Sequence, residues 1–151
     1  MAFVAEGRLK KVPRLGGSAV TLGDSASTAI AWLEDGTLLY RGSQASAVKL
    51  HAVTSEGVPV RAWADSLLPS EFIVQLAGLP GGQSALAALC GVTCAESRLV
   101  VIDIRTGALH QVMGDVLSAW PVGADRVVFV RPDGGVFLGA FDAKRRRFRS
   151  P

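Results

Sequence analysis

Four times along its length the chain runs a strand, a short turn and a second strand, and this repetition constrains the fold more than any other feature. The clearest copy is Leu99-Val100-Val101-Ile102-Asp103-Ile104-Arg105-Thr106-Gly107-Ala108-Leu109-His110-Gln111-Val112, with its turn at Arg105-Thr106-Gly107. Related segments run from Arg8 to Leu22, from Val48 to Val60 and from Val136 to Phe148. Aligning Val12, Val53, Ile104 and Phe141 gives spacings of 41, 51 and 37 residues. A propeller blade of four antiparallel strands takes about 40–45 residues.

A second strand-turn-strand unit alternates with the first. It occupies Ala29 to Tyr40, Phe72 to Ala87 and Leu117 to Val130, with turns expected at Asp35-Gly36, at Gly82 and at Ala124-Asp125. Glycine suits a two-residue hairpin loop because it adopts positive φ without a Cβ clash. Two alternating hairpins make four strands per blade. The expectation is therefore an all-β chain, a β-propeller of about three and a half to four four-stranded antiparallel blades, with residues 1–151 as one partial propeller domain. The blades are placed near 2–24, 28–65, 70–115 and 116–150, the first lacking its innermost strand. So few blades leave open edges, which calls for a larger propeller of which this is half, or for self-association.

Composition agrees. An apolar fraction of 49% supplies a core, while 17 glycines, 7 prolines and only 7% aromatic residues suit short strands and tight turns better than long helices. Leu86-Ala87-Ala88-Leu89, Leu99 to Ile102 and Val127-Val128-Phe129-Val130 are unbroken apolar runs, expected to be inner strands buried on both faces. Leu109 to Val112 and Val58 to Trp63 are mixed, as outer strands should be, and Pro59 fits an edge because it has no N–H for a ladder. No stretch is a membrane span, and Glu6 interrupts the start before a signal-like run develops, so the segment itself is expected to make no membrane contact. Lys144, Arg145, Arg146, Arg147 and Arg149 outweigh the whole net charge of +3. With only Phe148 interleaved, that tail lacks the stacking residues a nucleic-acid partner would use, and none is expected.

Candidate site residues are few. Cys90 and Cys94 bracket Gly91-Val92-Thr93 in the longest repeat, and Cys90, Thr93, Cys94 and Glu96, with Trp63, are the expected binding residues. The two cysteines are either a local disulfide or reduced thiols; a second pair of zinc ligands is missing, so no metal is expected. His51 and His110 lie on strands without a motif, and Asp103 is read as a carboxylate accepting turn hydrogen bonds. Trp32 and Trp120 occupy matching repeat positions and are expected to pack blade against blade. The chain has no G-x-S-x-G elbow, no phosphate loop and no H-E-x-x-H, so no catalytic residue and no cofactor is assigned.

Leu79-Pro80-Gly81-Gly82, Leu99 to Gly107 and Arg126 to Asp142 resemble the TolB-like, WD-repeat-like β-propellers that form C-terminal sensor regions of bacterial membrane-anchored serine/threonine protein kinases. The resemblance covers most of residues 5–148 and implies a place outside the cytoplasm, where a Cys90–Cys94 disulfide would persist. The chain departs from it in having no kinase or membrane segment, and in Ser55-Glu56-Gly57 where a double glycine is common. Related propellers also precede peptidase domains. The expected function is a non-catalytic binding or sensing module presenting loops to a protein, peptide or small ligand; the alternatives are a propeller hydrolase or lyase using His51 or His110, an accessory propeller of a peptidase, and a structural oligomerisation fragment.

Overall fold

The computed structural model of the chain describes residues 1–43, 50–63 and 71–149, and every regular element among them is a β-strand. The first sheet contains β1 (Ala2–Ala5), β2 (Arg8–Lys11) and β3 (Val20–Gly23). The second contains β4 (Ala26–Trp32), β5 (Leu38–Gly42), β6 (Leu50–Val53) and β7 (Pro59–Trp63). The third contains β8 (Phe72–Gly78), β9 (Ser84–Cys90), β10 (Ser97–Asp103) and β11 (Leu109–Gly114). The fourth contains β12 (Ser118–Val122), β13 (Arg126–Val130), β14 (Val136–Asp142) and β15 (Arg147–Phe148). Each is an antiparallel meander hydrogen-bonded in chain order, so the four sheets are consecutive propeller blades. Strand β8 packs between β4 and β12, which puts the first strand of each four-stranded blade beside its neighbours'. Val48, Lys49 and the expected blade limits at 65, 70 and 150 lie outside the described residues.

The core is divided by the gaps between blades. Leu9, Leu22, Leu38, Tyr40 and Val53 fill the first gap. Leu33, Leu39, Trp63, Leu76, Leu89, Val100 and Ile102 fill the second, and Leu86, Leu99, Val101, Val116, Val127, Phe129 and Phe141 fill the third. Strands β9 and β10 contribute to both the second and the third, because alternate side chains point to opposite faces of a blade that has a neighbour on each side. That is why Leu86 to Leu89 and Leu99 to Ile102 are unbroken apolar runs and fully buried. Each large aliphatic side chain so buried contributes roughly 1.5–3 kcal/mol.

Several expectations need correction. The unbroken runs are second and third strands of the blade, while the innermost strands β4 and β8 alternate in burial. Val127 to Val130 is buried on one face only, since no blade covers the other. The β12–β13 loop has three residues and the β4–β5 loop five; in the latter Gly36 N donates to Leu33 O (3.1 Å) and Leu33 N to Thr37 O (2.8 Å), a turn closed by glycine at φ 88°. In the β12–β13 loop the positive φ falls on Gly123, not on Ala124-Asp125. Trp32 lies opposite Leu38 and Trp120 opposite Val128, one residue out of step in their hairpins, and they are 44% and 45% exposed rather than packed between blades. Among the described residues no helix is long and apolar enough to cross a membrane.

Candidate functional site

The two ends of a blade are made from different turns. Strands β9 and β10 both have seven residues, so at about 3.3 Å per residue their ends stand roughly 20 Å apart. Ser97 lies opposite Cys90 at one end, and Asp103 opposite Ser84 at the other.

At the first end, residues 91–96 form the β9–β10 loop. Cys90 and Cys94 are joined by a disulfide, with Cα atoms 4.6 Å apart. Gly91 N donates to Glu96 O (3.0 Å), and Ala95 N to Thr93 Oγ1 (3.4 Å). Cys90 is buried at the strand end, whereas Val92, Thr93 and Glu96 are exposed. Beside this loop Arg98 clasps Glu71 through two hydrogen bonds of 2.7 Å. The expected loop residues Cys90, Thr93, Cys94 and Glu96 thus cluster at a hairpin tip. Trp63 does not join them. It is buried in the gap between the second and third blades with Ile102, against the partly buried Ile104 and Leu109, so its assignment to a binding surface is corrected.

The opposite end carries a depression of about 690 Å3. Asp35 of the β4–β5 turn, the Pro80–Ser84 turn, Asp103 to Arg105 of the β10–β11 turn, and Ala143, Lys144 and Arg146 of the β14–β15 turn line it, so three blades contribute. These turns are tied to each other. Glu34 Oε2 accepts from Gly81 N (2.7 Å), and Ile104 N donates to Gln83 O (3.0 Å).

Asp103 is the keystone of the wall. Its Oδ1 accepts from the backbone N–H groups of Arg105 (3.0 Å) and Thr106 (3.1 Å), as the sequence predicts for a turn carboxylate. Its Oδ2 accepts from Arg146 Nη2 of the next blade (2.8 Å), and the other guanidinium nitrogen of Arg146 contacts His110 Nε2. Burial opposes the ionised form of Asp103, but the turn N–H groups and Arg146 outweigh it and hold the carboxyl below its ordinary value. Asp142 repeats the device one blade on, its Oδ1 accepting from Arg145 N (2.9 Å). Arg105 and Lys144 are exposed on the same wall, with no carboxylate partner among the described residues. The Asp103–Arg146–His110 cluster escapes sequence reading because Arg146 belongs to what looks like a solvated basic run. The recurring Asp at 103 and 142, each starting a turn before the next strand, was the legible signal.

His51 sits elsewhere, between β5 and β7. It stacks on Tyr40 with ring centroids 4.7 Å apart, its Nε2 is buried without a hydrogen-bond partner, and burial lowers its pKa. The two histidines are therefore not brought together, and neither has a carboxylate as a direct partner among the described residues. Nor do three His, Cys, Asp or Glu side chains converge on a possible metal position among those residues.

No family model matches the chain, and no curated protein is similar to it in sequence. Among solved structures it is similar to Porphyromonas gingivalis dipeptidyl peptidase 4, with a TM-score of 0.67 and 11% identity. The alignment covers 99% of this chain and 30% of that one. At that identity the likeness concerns the fold, and it agrees with a propeller-like arrangement of blades.

Proposed function

We propose that this chain is a non-catalytic β-propeller binding module whose turn-lined depression takes an acidic stretch of a protein or peptide. The observation that carries the reading is the wall shared by three blades, in which Arg146 is paired with Asp103 while Arg105 and Lys144, in no ion pair among the described residues, outnumber the remaining carboxylate, Asp35. Turns held by a rigid sheet scaffold are where binding residues concentrate. The histidines support the same reading over a propeller hydrolase or lyase: His51 is stacked and buried, and a guanidinium occupies the Nε2 of His110 that a base would use.

The resemblance to kinase-associated propellers supports reading such a module as part of a larger bacterial signalling protein, outside the cytoplasm. The Cys90–Cys94 disulfide fits an oxidising compartment. The likeness in fold to a dipeptidyl peptidase favours a second reading, an accessory propeller beside a peptidase domain. In either setting the chain supplies a binding face.

The test uses a fluorescein-labelled hexaglutamate peptide, with anisotropy measured against protein concentration. Binding that weakens with salt and is lost in the Arg105→Glu, Lys144→Glu double variant is the expected result. Binding unaffected by that double change, or no binding at all by the unaltered chain, overturns the acidic-ligand reading.

A further inference from the structure

The gap between the first and second blades is not filled along its outer strands, because small residues stand there. Register sets Tyr40, His51 and Ala62 in one row across β5, β6 and β7. That row faces the first blade, since Tyr40 packs there with Leu9, Leu22 and Val53. Ala62 offers only a methyl group, and Gly23 at the end of β3 offers none: a Cβ there would stand 2.6 Å from the Tyr40 hydroxyl. The next gap is plugged by the Trp63 indole. Here a cleft of about 430 Å3 is left instead, a size that suits a small organic molecule. It shares no lining residue with the turn-lined depression.

The chemistry of this cleft is one-sided. Asp24 and the stacked rings of Tyr40 and His51 line it, with Leu22, Val53, Pro59 and Val60 as its apolar wall. The Asp24 carboxylate is close enough to act on the Tyr40 phenol, whose pKa is raised first by burial and then by that charge. His51 has its Nε2 buried without a hydrogen-bond partner, and burial lowers its pKa, so the ring is uncharged at neutral pH. With the ring proton on Nδ1, that Nε2 accepts, and an incoming N–H recovers the stability an unpaired buried atom costs. Arg61 is the one basic residue along the cleft among the described residues, and its side chain belongs to the other face. Its row with Leu39 and Ala52 turns toward the third blade, and its guanidinium lies over Trp63, 5.9 Å from the ring centroid. The cation that answers Asp24 is Arg8, 3.3 Å away and no part of the lining; with the two side chains 57% and 79% exposed, this pair exchanges readily. A carboxylate, a phenol and a neutral imidazole beside an apolar wall suit an ammonium group on a hydrocarbon body.

We infer that the cleft between the first and second blades binds a small aliphatic amine. Its ammonium displaces Arg8 from Asp24 and gives its remaining N–H groups to the Tyr40 oxygen and His51 Nε2, while the hydrocarbon lies along Val53, Pro59 and Val60. A neutral molecule of the same shape has no charge to match Asp24, so amines are selected over alcohols.

The test is a proton NMR titration of the full chain with hexylamine at constant neutral pH, read on the imidazole signals, with hexanol as the uncharged analogue. The chain has two histidines, and a His110→Phe variant assigns them. The expected result is a saturable shift of the His51 signals by hexylamine, at least about tenfold tighter than by hexanol, with the His110 signals unmoved. Asp24→Asn should weaken hexylamine binding about tenfold. Arg8→Ala should tighten it about two- to fivefold, the usual worth of an exposed ion pair, and a variant that gains affinity cannot owe the change to poor folding. No His51 shift up to the solubility limit, hexanol binding as tightly as hexylamine, indifference to Asp24→Asn, or no gain in the Arg8→Ala chain overturns the proposal.

Discussion

The indole of Trp63 lies across Gly107 of the neighbouring blade, so close that a Cβ at 107 would stand 2.9 Å from its Cγ and nearer still to Cδ1 and Nε1. Gly107 also has φ 76°, where a side chain is strained. Gly107→Ala therefore meets two penalties and is expected to destabilise the chain by about 2–4 kcal/mol, read from urea unfolding. Unchanged stability would remove the contact from the account of how these blades are joined.

Trp63 is the other half of that contact. Trp63→Ala leaves a cavity and is expected to cost about 3–5 kcal/mol. Its Nε1 is buried without a hydrogen-bond partner, so Trp63→Phe removes an unsatisfied donor along with some volume. The phenylalanine variant should lose less than half of what the alanine variant loses.

The disulfide closes a loop with a sequence separation of 4. Chain entropy for so short a loop gives about 2 kcal/mol. Reduction, or the Cys90→Ala, Cys94→Ala double variant, should lower the unfolding midpoint accordingly, without altering peptide binding at the opposite end of the blade. A midpoint indifferent to reductant would mean that the bridge adds nothing to stability.

His51 makes stability depend on pH in one direction. Its pKa in the folded chain lies below the ordinary 6.5, so the unfolded chain binds the proton more readily. Stability is full above 6.5 and falls as pH drops below it toward the folded value. Replacing His51 with Phe should flatten this dependence, while His110→Phe should not remove it.

Asp103 acts lower on the pH scale. Its folded pKa is held below 3.8, so its contribution is present above that value and lost as acid protonates it. Asp103→Ala removes the turn acceptor and the partner of Arg146 together, at a cost of about 2 kcal/mol at neutral pH. Arg146→Gly is the informative companion: Arg146 has φ 54°, so glycine keeps the turn while removing the side chain that reaches Asp103 and His110. It should cost less than Asp103→Ala, which also loses the turn bonds to Arg105 and Thr106.

The repeats and their four-strand period were legible because each blade repeats the same local alternation of apolar residues and turn signals. Asp103 and Gly107 were legible as turn residues for the same reason: their partners are Arg105, Thr106 and Asp103 itself, all within one loop. Packing between blades was not. Val127 to Val130 reads like a strand covered twice and is covered once, because its alternation is the same whether or not a neighbour is present. Trp63 reads as an outer-strand aromatic, and only the approach of Gly107 from another blade decides that it is buried. The depression, too, joins Asp35, Ser84, Asp103 and Lys144 across 109 positions of sequence, from residue 35 to residue 144. Local periodicity determined that this chain makes blades; which faces touch, and which stays open, was decided by contacts between residues far apart in the chain, which leave no periodic trace in it.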